Sequence, residues 1–336
     1  MKGEEKFYSL YERERKKVEA RLLSAFKDRI PRSLYEPASY VLKSGGKRLR
    51  PLLVLFSSKA VEGSFERVYN ASIAVELLHN FTLVHDDIMD NADKRRGRLT
   101  LHKKYDLNTA ILAGDSLLSI AYEYLLKDLP NGRQVGNGNS KTVLASFTQG
   151  LIEICEGQSL DKDFETRKNV TIDDYIRMIK KKTAAMSEMC CSIGAQLGGG
   201  SPKEIKALSN FGKNIGIAFQ IQDDLLDITA DEAKFGKFVG GDLVEGKKTF
   251  LFIKALTNAK GKDYKTLLDV MANKGIKPEQ VQEYKELYER LGVLDDARDE
   301  IKKHSNNALR SLKILKNNDF RNIFTWLADS LVKRIR

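Results

Sequence analysis

Apolar residues recur along this chain at the three-to-four-residue spacing of helices, and no segment sustains the alternation of a half-buried strand. Glu4 to Phe26 reads as an amphipathic helix with Tyr8, Leu10, Tyr11, Val18, Leu22, Leu23 and Phe26 on its apolar positions. A shorter one follows from Leu34 to Leu42. Ser44-Gly45-Gly46 breaks the pattern, and Pro51 opens a helix through Val61, as a first-turn proline does. Phe65 to Met89 is a long helix, and Gly97 ends the polar segment after it. Asp115 to Leu126, Lys141 to Ile154, Ile172 to Leu197, Pro202 to Ile228 and Lys248 to Leu256 carry further helical patterns. From Asp263 onward short amphipathic helices alternate with Gly and Asn breaks and end in Phe320 to Val332. The expected fold is all-α, with roughly a dozen helices.

Two of these helices carry the same acidic pentad, Asp86-Asp87-Ile88-Met89-Asp90 and Asp223-Asp224-Leu225-Leu226-Asp227. The outer acids of each are four residues apart, about 40° around a helix and one turn along it, so two carboxylates share a face. A lone pentad is more often a solvated acidic face. Here both copies follow strongly apolar runs, Leu77, Leu78, Phe81, Leu83 and Val84 before the first and Ile215, Ile217, Ala218, Phe219 and Ile221 before the second. Like charges on interior helices require neutralisation, and hard cations bound through oxygen suit an all-carboxylate set. Neither pentad holds a Cys or a Glu-x-x-His, which argues against zinc and di-iron. Magnesium typically takes one or two carboxylates plus substrate phosphates, so the pattern predicts a phosphorylated ligand. On the wheel of Asp86 and Asp90, His79 shares the face with Thr82 and Val75 close by, while Gln220 and Phe219 flank the second acidic face. A cavity with ions at its mouth and partly apolar walls fits an amphiphile with a diphosphate head.

Composition narrows the remaining classes. In 336 residues no Pro-, Gly- or Ser-rich linker divides the chain, so one large domain is expected. The apolar fraction of 42% supplies a sizeable core, and only six prolines leave room for long helices. Three cysteines, two of them the adjacent Cys190 and Cys191, form neither a disulfide framework nor a metal spacing. They are expected to be buried packing residues in a reducing cytoplasm. Met1 to Lys17 is too charged for a signal peptide, and no run has the length of a membrane span. The net charge of +11 comes without an RNA-recognition motif, zinc finger or basic heptad region, so a nucleic-acid partner is not expected and acidic small molecules are.

Basic groups accompany the acids. Gly45-Gly46-Lys47-Arg48-Leu49-Arg50-Pro51 couples a flexible turn to three cations at a helix start, where backbone N–H groups and basic side chains can bind anionic oxygens. Arg95-Arg96-Gly97, Lys182-Thr183, Gly236-Lys237 and Gly246-Lys247 would each be ordinary surface alone. Their co-occurrence with two pentads is the signal.

Taken in order from Gly45 to Thr249, these motifs, with His79 through Asp90 and Gln220 through Asp224, resemble the trans-prenyltransferases, isoprenyl diphosphate synthases of the polyprenyl synthetase family. The resemblance implies residues 1–336 as one synthase domain, with helices around a deep central cavity, acting as a homodimer. It implies that Asp86, Asp90 and Asp223 hold three Mg2+ ions on the allylic diphosphate, with Asp87, Asp224 and Asp227 assisting by ligation or hydrogen bonds. Arg95, Lys182, Thr183, Lys237 and Lys247 would hold the same diphosphate, Gln220 would border the reacting carbons, and Lys47, Arg50, His79 and Arg96 would hold isopentenyl diphosphate. Asp86, Asp90, Lys182 and Asp223 form the implied catalytic set. The implied starters are dimethylallyl, geranyl and farnesyl diphosphate. Departure of pyrophosphate leaves an allylic cation that the double bond of isopentenyl diphosphate attacks, so no protein nucleophile is required. The basic tail Lys333-Arg334-Ile335-Arg336 resembles family tails that help close the site.

Phe81 stands five positions before Asp86, Thr82 stands four before, and the pentad lacks a two-residue insertion. That combination resembles archaeal-type geranylgeranyl diphosphate synthases and favours a C20 product over C15 or over C30 and longer. An ideal wheel places Phe81 roughly 140° from Asp86, so such an effect needs either a distorted helix or an indirect route. A terpene cyclase would share the acidic helices without needing Gly45 to Pro51, and a catalytically silent subunit would show damaged motifs, which this chain does not.

Overall fold

The helix-periodic stretches fold as helices in the computed structural model, which describes residues 2–129, 140–230 and 239–332. In chain order these are α1 (Lys2–Ser24), α2 (Arg32–Leu42), α3 (Leu49–Ala60), α4 (Tyr69–Met89), α5 (Leu101–Lys104), α6 (Leu107–Asp128), α7 (Ser140–Thr166), α8 (Ile172–Ile179), α9 (Ala185–Leu197), α10 (Pro202–Thr229), α11 (Gly241–Val244), α12 (Phe250–Asn258), α13 (Gly261–Asn273), α14 (Val281–Arg290), α15 (Val293–Ser311) and α16 (Asn318–Val332). The fold is all-α, and among the described residues the strands form one hairpin. None of the described helices is long and apolar enough to cross a membrane. The residues group into two compact units, one within 1–147, 189–209 and 314–323, the other within 148–188, 210–313 and 324–336.

In the first unit α4 is apolar nearly all round and correspondingly buried, from Ala71 through Leu78. It packs along α6, where Gly114 leaves no room for a Cβ beside the imidazole of His85. Asp106 caps α6 by accepting from the Thr109 N–H. At its other end Asp128 accepts from the Ala71 N–H at 2.7 Å, serving the first turn of α4. α4 starts at Tyr69 rather than at Phe65 because Phe65 packs against Phe56 and Phe320 instead. After α4 come two two-residue strands, β1 (Lys94–Arg95) and β2 (Arg98–Leu99), with Arg95 opposite Arg98. Arg96 and Gly97 turn between them at φ 52° and 74°, the left-handed pair that closes a tight hairpin. Strands this short carry no readable alternation.

In the second unit Tyr175, Ile221, Leu225, Phe250, Phe252 and Leu267 belong to one buried apolar cluster. The expected continuous helix from Ile172 to Leu197 is interrupted by a π-helical turn at Lys180–Ala184. Two glycines account for it. A Cβ on Gly157 of α7 would collide with the backbone of Lys182, and one on Gly216 of α10 would stand 2.6 Å from the Cα of Ala184. The widened turn is held against both bare positions. Cys190 and Cys191 are buried as expected, whereas Cys155 is exposed because it falls off the buried stripe of α7 that includes Phe147, Ile154 and Gln158.

Candidate functional site

The first pentad closes α4. Asp87 is buried and accepts a charge-assisted hydrogen bond from Nε of Arg95 at 2.7 Å, although burial still holds its carboxyl above the usual range. Asp86 is half-buried and Asp90 exposed, so the acidic end of the helix reaches solvent. Two turns back lies His79, buried, its imidazole held well below its ordinary value by burial and then by the charges of Arg50, Arg96, Arg95 and Arg48. It is neutral at pH 7, with one ring nitrogen to donate and one to accept. Burial, together with the guanidiniums of Arg48, Arg95 and Arg50, also holds Arg96 below its ordinary value. Its Nη1 donates to the carbonyl of Gly45. Lys47 is exposed at the same turn, where the Tyr11 hydroxyl donates to the Lys47 carbonyl at 2.5 Å. The structure thus brings Arg50, His79, Arg95 and Arg96 into one electrostatic neighbourhood, a setting that favours a polyanion.

Arg48 is set apart from its neighbours Lys47 and Arg50. It is one of the three cations of the turn, though not among those assigned to a substrate, and it is only 3% exposed. Its guanidinium lies inward, with Nε and Nη2 donating to Glu19 at 2.7 and 3.1 Å, Nη1 to Glu76 at 2.7 Å and Nη2 also to the Leu42 carbonyl at 2.7 Å. The nearly buried Glu76 and the quarter-exposed Glu19 converge on it.

Phe81 reaches the pentad indirectly. α4 is an unbroken α-helix, so the wheel position stands, but the Phe81 ring packs 4.6 Å from the ring of His85, the residue before Asp86. Thr82 turns its hydroxyl back to donate to the His79 carbonyl at 2.8 Å.

In the second unit the π-helical turn presents Lys182 and Thr183. Lys182 pairs with Asp161 at 2.5 Å. Thr183 donates to Oε1 of Gln220 at 2.8 Å, and Nε2 of Gln220 donates to Oδ1 of Asp224 at 3.1 Å. The other oxygen of Asp224 accepts from the Tyr175 hydroxyl at 2.6 Å and from the Phe250 N–H at 3.0 Å. Asp227 accepts from the N–H of Asp242 at 3.0 Å. Burial and the charge of Asp242 push Asp224 up to about 7 and Asp227 up to about 6, and burial raises Asp242 itself. Asp223, the pentad's first acid, is half-buried. Lys247 meets Glu245 at 2.6 Å and Asp242 at 3.5 Å. Lys237 and the basic tail from Lys333 to Arg336 lie outside the described residues.

Sequence reasoning missed Asp161, Tyr175 and Asp242. Asp242 follows Gly240-Gly241 and precedes Gly246-Lys247, so a glycine-and-acid pattern was there to be seen. Asp161 stands one turn after Gly157, again on a glycine. Tyr175 reads only as one more apolar helix position.

Among the described residues no three His, Cys, Asp or Glu side chains already stand grouped as a metal-binding set. The donor chemistry nevertheless suits a hard cation. Burial first, and for Asp224 and Asp227 also the charge of Asp242, holds the carboxyls of Asp224, Asp227 and Asp242 above the usual range, and a divalent ion beside them would stabilise their ionised forms.

The profile of the polyprenyl synthetase family matches residues 31–291. The chain is 39% identical over 320 residues to the short chain isoprenyl diphosphate synthase of Methanothermobacter thermautotrophicus, covering 94% of this chain and 95% of that one. It is 43% identical over 285 residues to the geranylgeranyl diphosphate synthase of Sulfolobus acidocaldarius, covering 83% of each. Among solved structures it resembles the geranylgeranyl pyrophosphate synthetase from Pyrococcus horikoshii with a TM-score of 0.90 at 37% identity, over 98% of this chain and 99% of that one.

Proposed function

This chain belongs to the polyprenyl synthetase family, and we propose that it condenses isopentenyl diphosphate head to tail with allylic diphosphates, yielding trans-prenyl diphosphates and principally C20 geranylgeranyl diphosphate. The gathering of Arg50 and Arg96 around a neutral His79 carries this reading. It supplies a polyanion subsite in addition to the pentad carboxylates, which an enzyme acting on a single allylic diphosphate would not need. The names of the Sulfolobus and Pyrococcus proteins support C20, as does Phe81 ahead of a compact pentad.

In this reading Lys47, Arg50, His79 and Arg96 hold isopentenyl diphosphate. His79, being neutral, can donate to a phosphate oxygen without adding to the repulsion among the guanidiniums. Arg95, Lys182, Thr183, Lys237 and Lys247 hold the allylic diphosphate, and Gln220, its amide fixed between Thr183 and Asp224, borders the reacting carbons. Asp86, Asp90 and Asp223 are the magnesium ligands. Asp87 and Asp224, whose oxygens already accept from Arg95 and from Tyr175, Phe250 and Gln220, act as supports, with Asp227 beside them. When bound, three Mg2+ ions supply positive charge to the departing pyrophosphate. Lys182 adds a cation at the same leaving group, and its pairing with Asp161 keeps it oriented. The allylic C–O bond breaks, the double bond of isopentenyl diphosphate forms the new C–C bond, and the released pyrophosphate takes the proton lost. Apolar walls keep water from the cation.

The acting form is a homodimer of single synthase domains in the cytoplasm. The exposed Leu107, Ile111, Leu112 and Leu126 of α6 offer apolar surface for such pairing, and Cys155, Cys190 and Cys191, none of them in a disulfide, suit a reducing compartment.

Asp86→Asn and Asp223→Asn test the site. Each is expected to abolish magnesium-dependent incorporation of labelled isopentenyl diphosphate while leaving the far-ultraviolet circular dichroism of the helices intact. Near-wild-type turnover in either variant would sink the metal-site assignment.

A further inference from the structure

The turn from Ser44 to Arg50 is held in part by Tyr11 and Arg48, groups that the proposed chemistry leaves unused. Gly45 and Gly46 adopt φ 72° and 143°, and Arg48, with a full side chain, is also left-handed at φ 50° and ψ 36°. Left-handed backbone at a non-glycine residue is costly and persists where surrounding contacts over-determine it. Three contacts do so here. The Tyr11 hydroxyl of α1 holds the Lys47 carbonyl, and Arg96 of the hairpin holds the Gly45 carbonyl with its guanidinium against Gly46. Arg48 itself ties the carbonyl that ends α2 to Glu19 of α1 and to Glu76 of α4. Glu76 is 2% exposed and lies one turn before His79 and Asn80; Nδ2 of Asn80 donates to the Glu76 carbonyl at 2.7 Å.

We infer that Arg48 is a positioning residue for isopentenyl diphosphate: by clamping α1, α2 and α4 together it fixes the backbone from which Lys47 and Arg50 grip that substrate opposite His79. The inference rests on the assignment of Lys47, Arg50, His79 and Arg96 to this subsite. Arg48 has no face toward the ligand, because its donors are directed at Glu19, Glu76 and Leu42. Its contribution therefore depends on the planar fork that reaches several acceptors at once, which an ammonium cannot reproduce. Glu19 is the accessible limb of the clamp, a quarter exposed, and can be altered without leaving a fully buried charge unpaired.

The test uses the full-length enzyme with Arg48→Lys, which keeps the charge and loses the fork, and Glu19→Gln, which loosens the clamp without removing any cation. Both are expected to raise KM for isopentenyl diphosphate about tenfold, with KM for the allylic starter and the product length unchanged. If Glu19→Gln leaves KM unchanged while Arg48→Lys raises it, the Arg48 guanidinium acts without the Glu19 limb of the clamp and the inference is wrong. If KM for both substrates rises in step with a lower melting temperature, or neither changes, the clamp only stabilises the fold and the inference is again wrong. Lys47→Ala separates the two levels. Should it leave KM for isopentenyl diphosphate untouched, the subsite assignment itself fails and the inference falls with it.

Discussion

The imidazole of His85 stacks on the ring of Phe81 with centroids 4.6 Å apart and planes tilted by 59°. The residue that immediately precedes the first pentad is thereby coupled to the residue five positions before it. Phe81 does not share the helix face of Asp86, and this ring contact is the physical route by which its bulk could act there.

The proposed control of product length by Phe81 can be tested through that contact. Phe81→Ser is expected to lengthen products beyond C20. Gly114→Ala should alter the product pattern without touching Phe81, because its new methyl would collide with the His85 imidazole and drive it against the phenyl ring. Chromatography of dephosphorylated products checks both, and an unchanged C20 peak in the two variants would remove Phe81 and His85 from any role in length.

Gly157→Ala should damage catalysis from a distance. Its methyl meets the Lys182 backbone rather than a flexible side chain, so the π-helical turn must move. A misplacement of Lys182 by roughly 1 Å is expected to lower kcat by about a hundredfold. A variant with wild-type kcat would mean that the turn is not needed for chemistry.

Tyr175→Phe removes a donor from a fully buried carboxylate and should cost about 1–3 kcal/mol of stability. The Tyr175 hydrogen bond lowers Asp224, so its loss raises a group already pushed up to about 7 by burial and by Asp242. The acid limb of the kcat/KM profile is expected to move to higher pH. An identical profile would mean that ionisation of Asp224 does not govern activity.

Asp128 gives the stability of the first unit a pH dependence of definite sign. Burial pushes it up to about 6 from an ordinary 3.8. The unfolded chain releases this proton first, so stability falls as pH rises from 3.8 to about 6, and the full cost remains above. Asp128→Asn keeps an acceptor for the Ala71 N–H and removes the charge. It should stabilise the protein by on the order of 2 kcal/mol at pH 7.5 and hardly at all at pH 4. Denaturant melts at the two pH values decide, and an equal effect at both would contradict the assignment.

What could be read from the sequence was local. The pentads, the Gly45 to Pro51 turn and α10, expected to Ile228 and found to Thr229, all depend on spacings of a few residues. The π-helical turn was not legible, because it exists through Gly157 and Gly216, each more than a helix away along the chain. The role of Arg48 could not be read, since nothing local says that Glu19 and Glu76 converge on it. Tyr175 was invisible for the same reason. Its phenol matters only because Asp224, far along the chain, points at it.

The central claim is that this chain builds C20 prenyl diphosphates, and the most direct measurement is a magnesium-dependent condensation with radiolabelled isopentenyl diphosphate and, separately, dimethylallyl, geranyl and farnesyl diphosphate, with product lengths read after dephosphorylation. A dominant C20 product from all three starters is the expected result. Products ending at C15, or extending to C30 and beyond, would contradict the length assignment, and no incorporation with any starter would contradict the reaction itself.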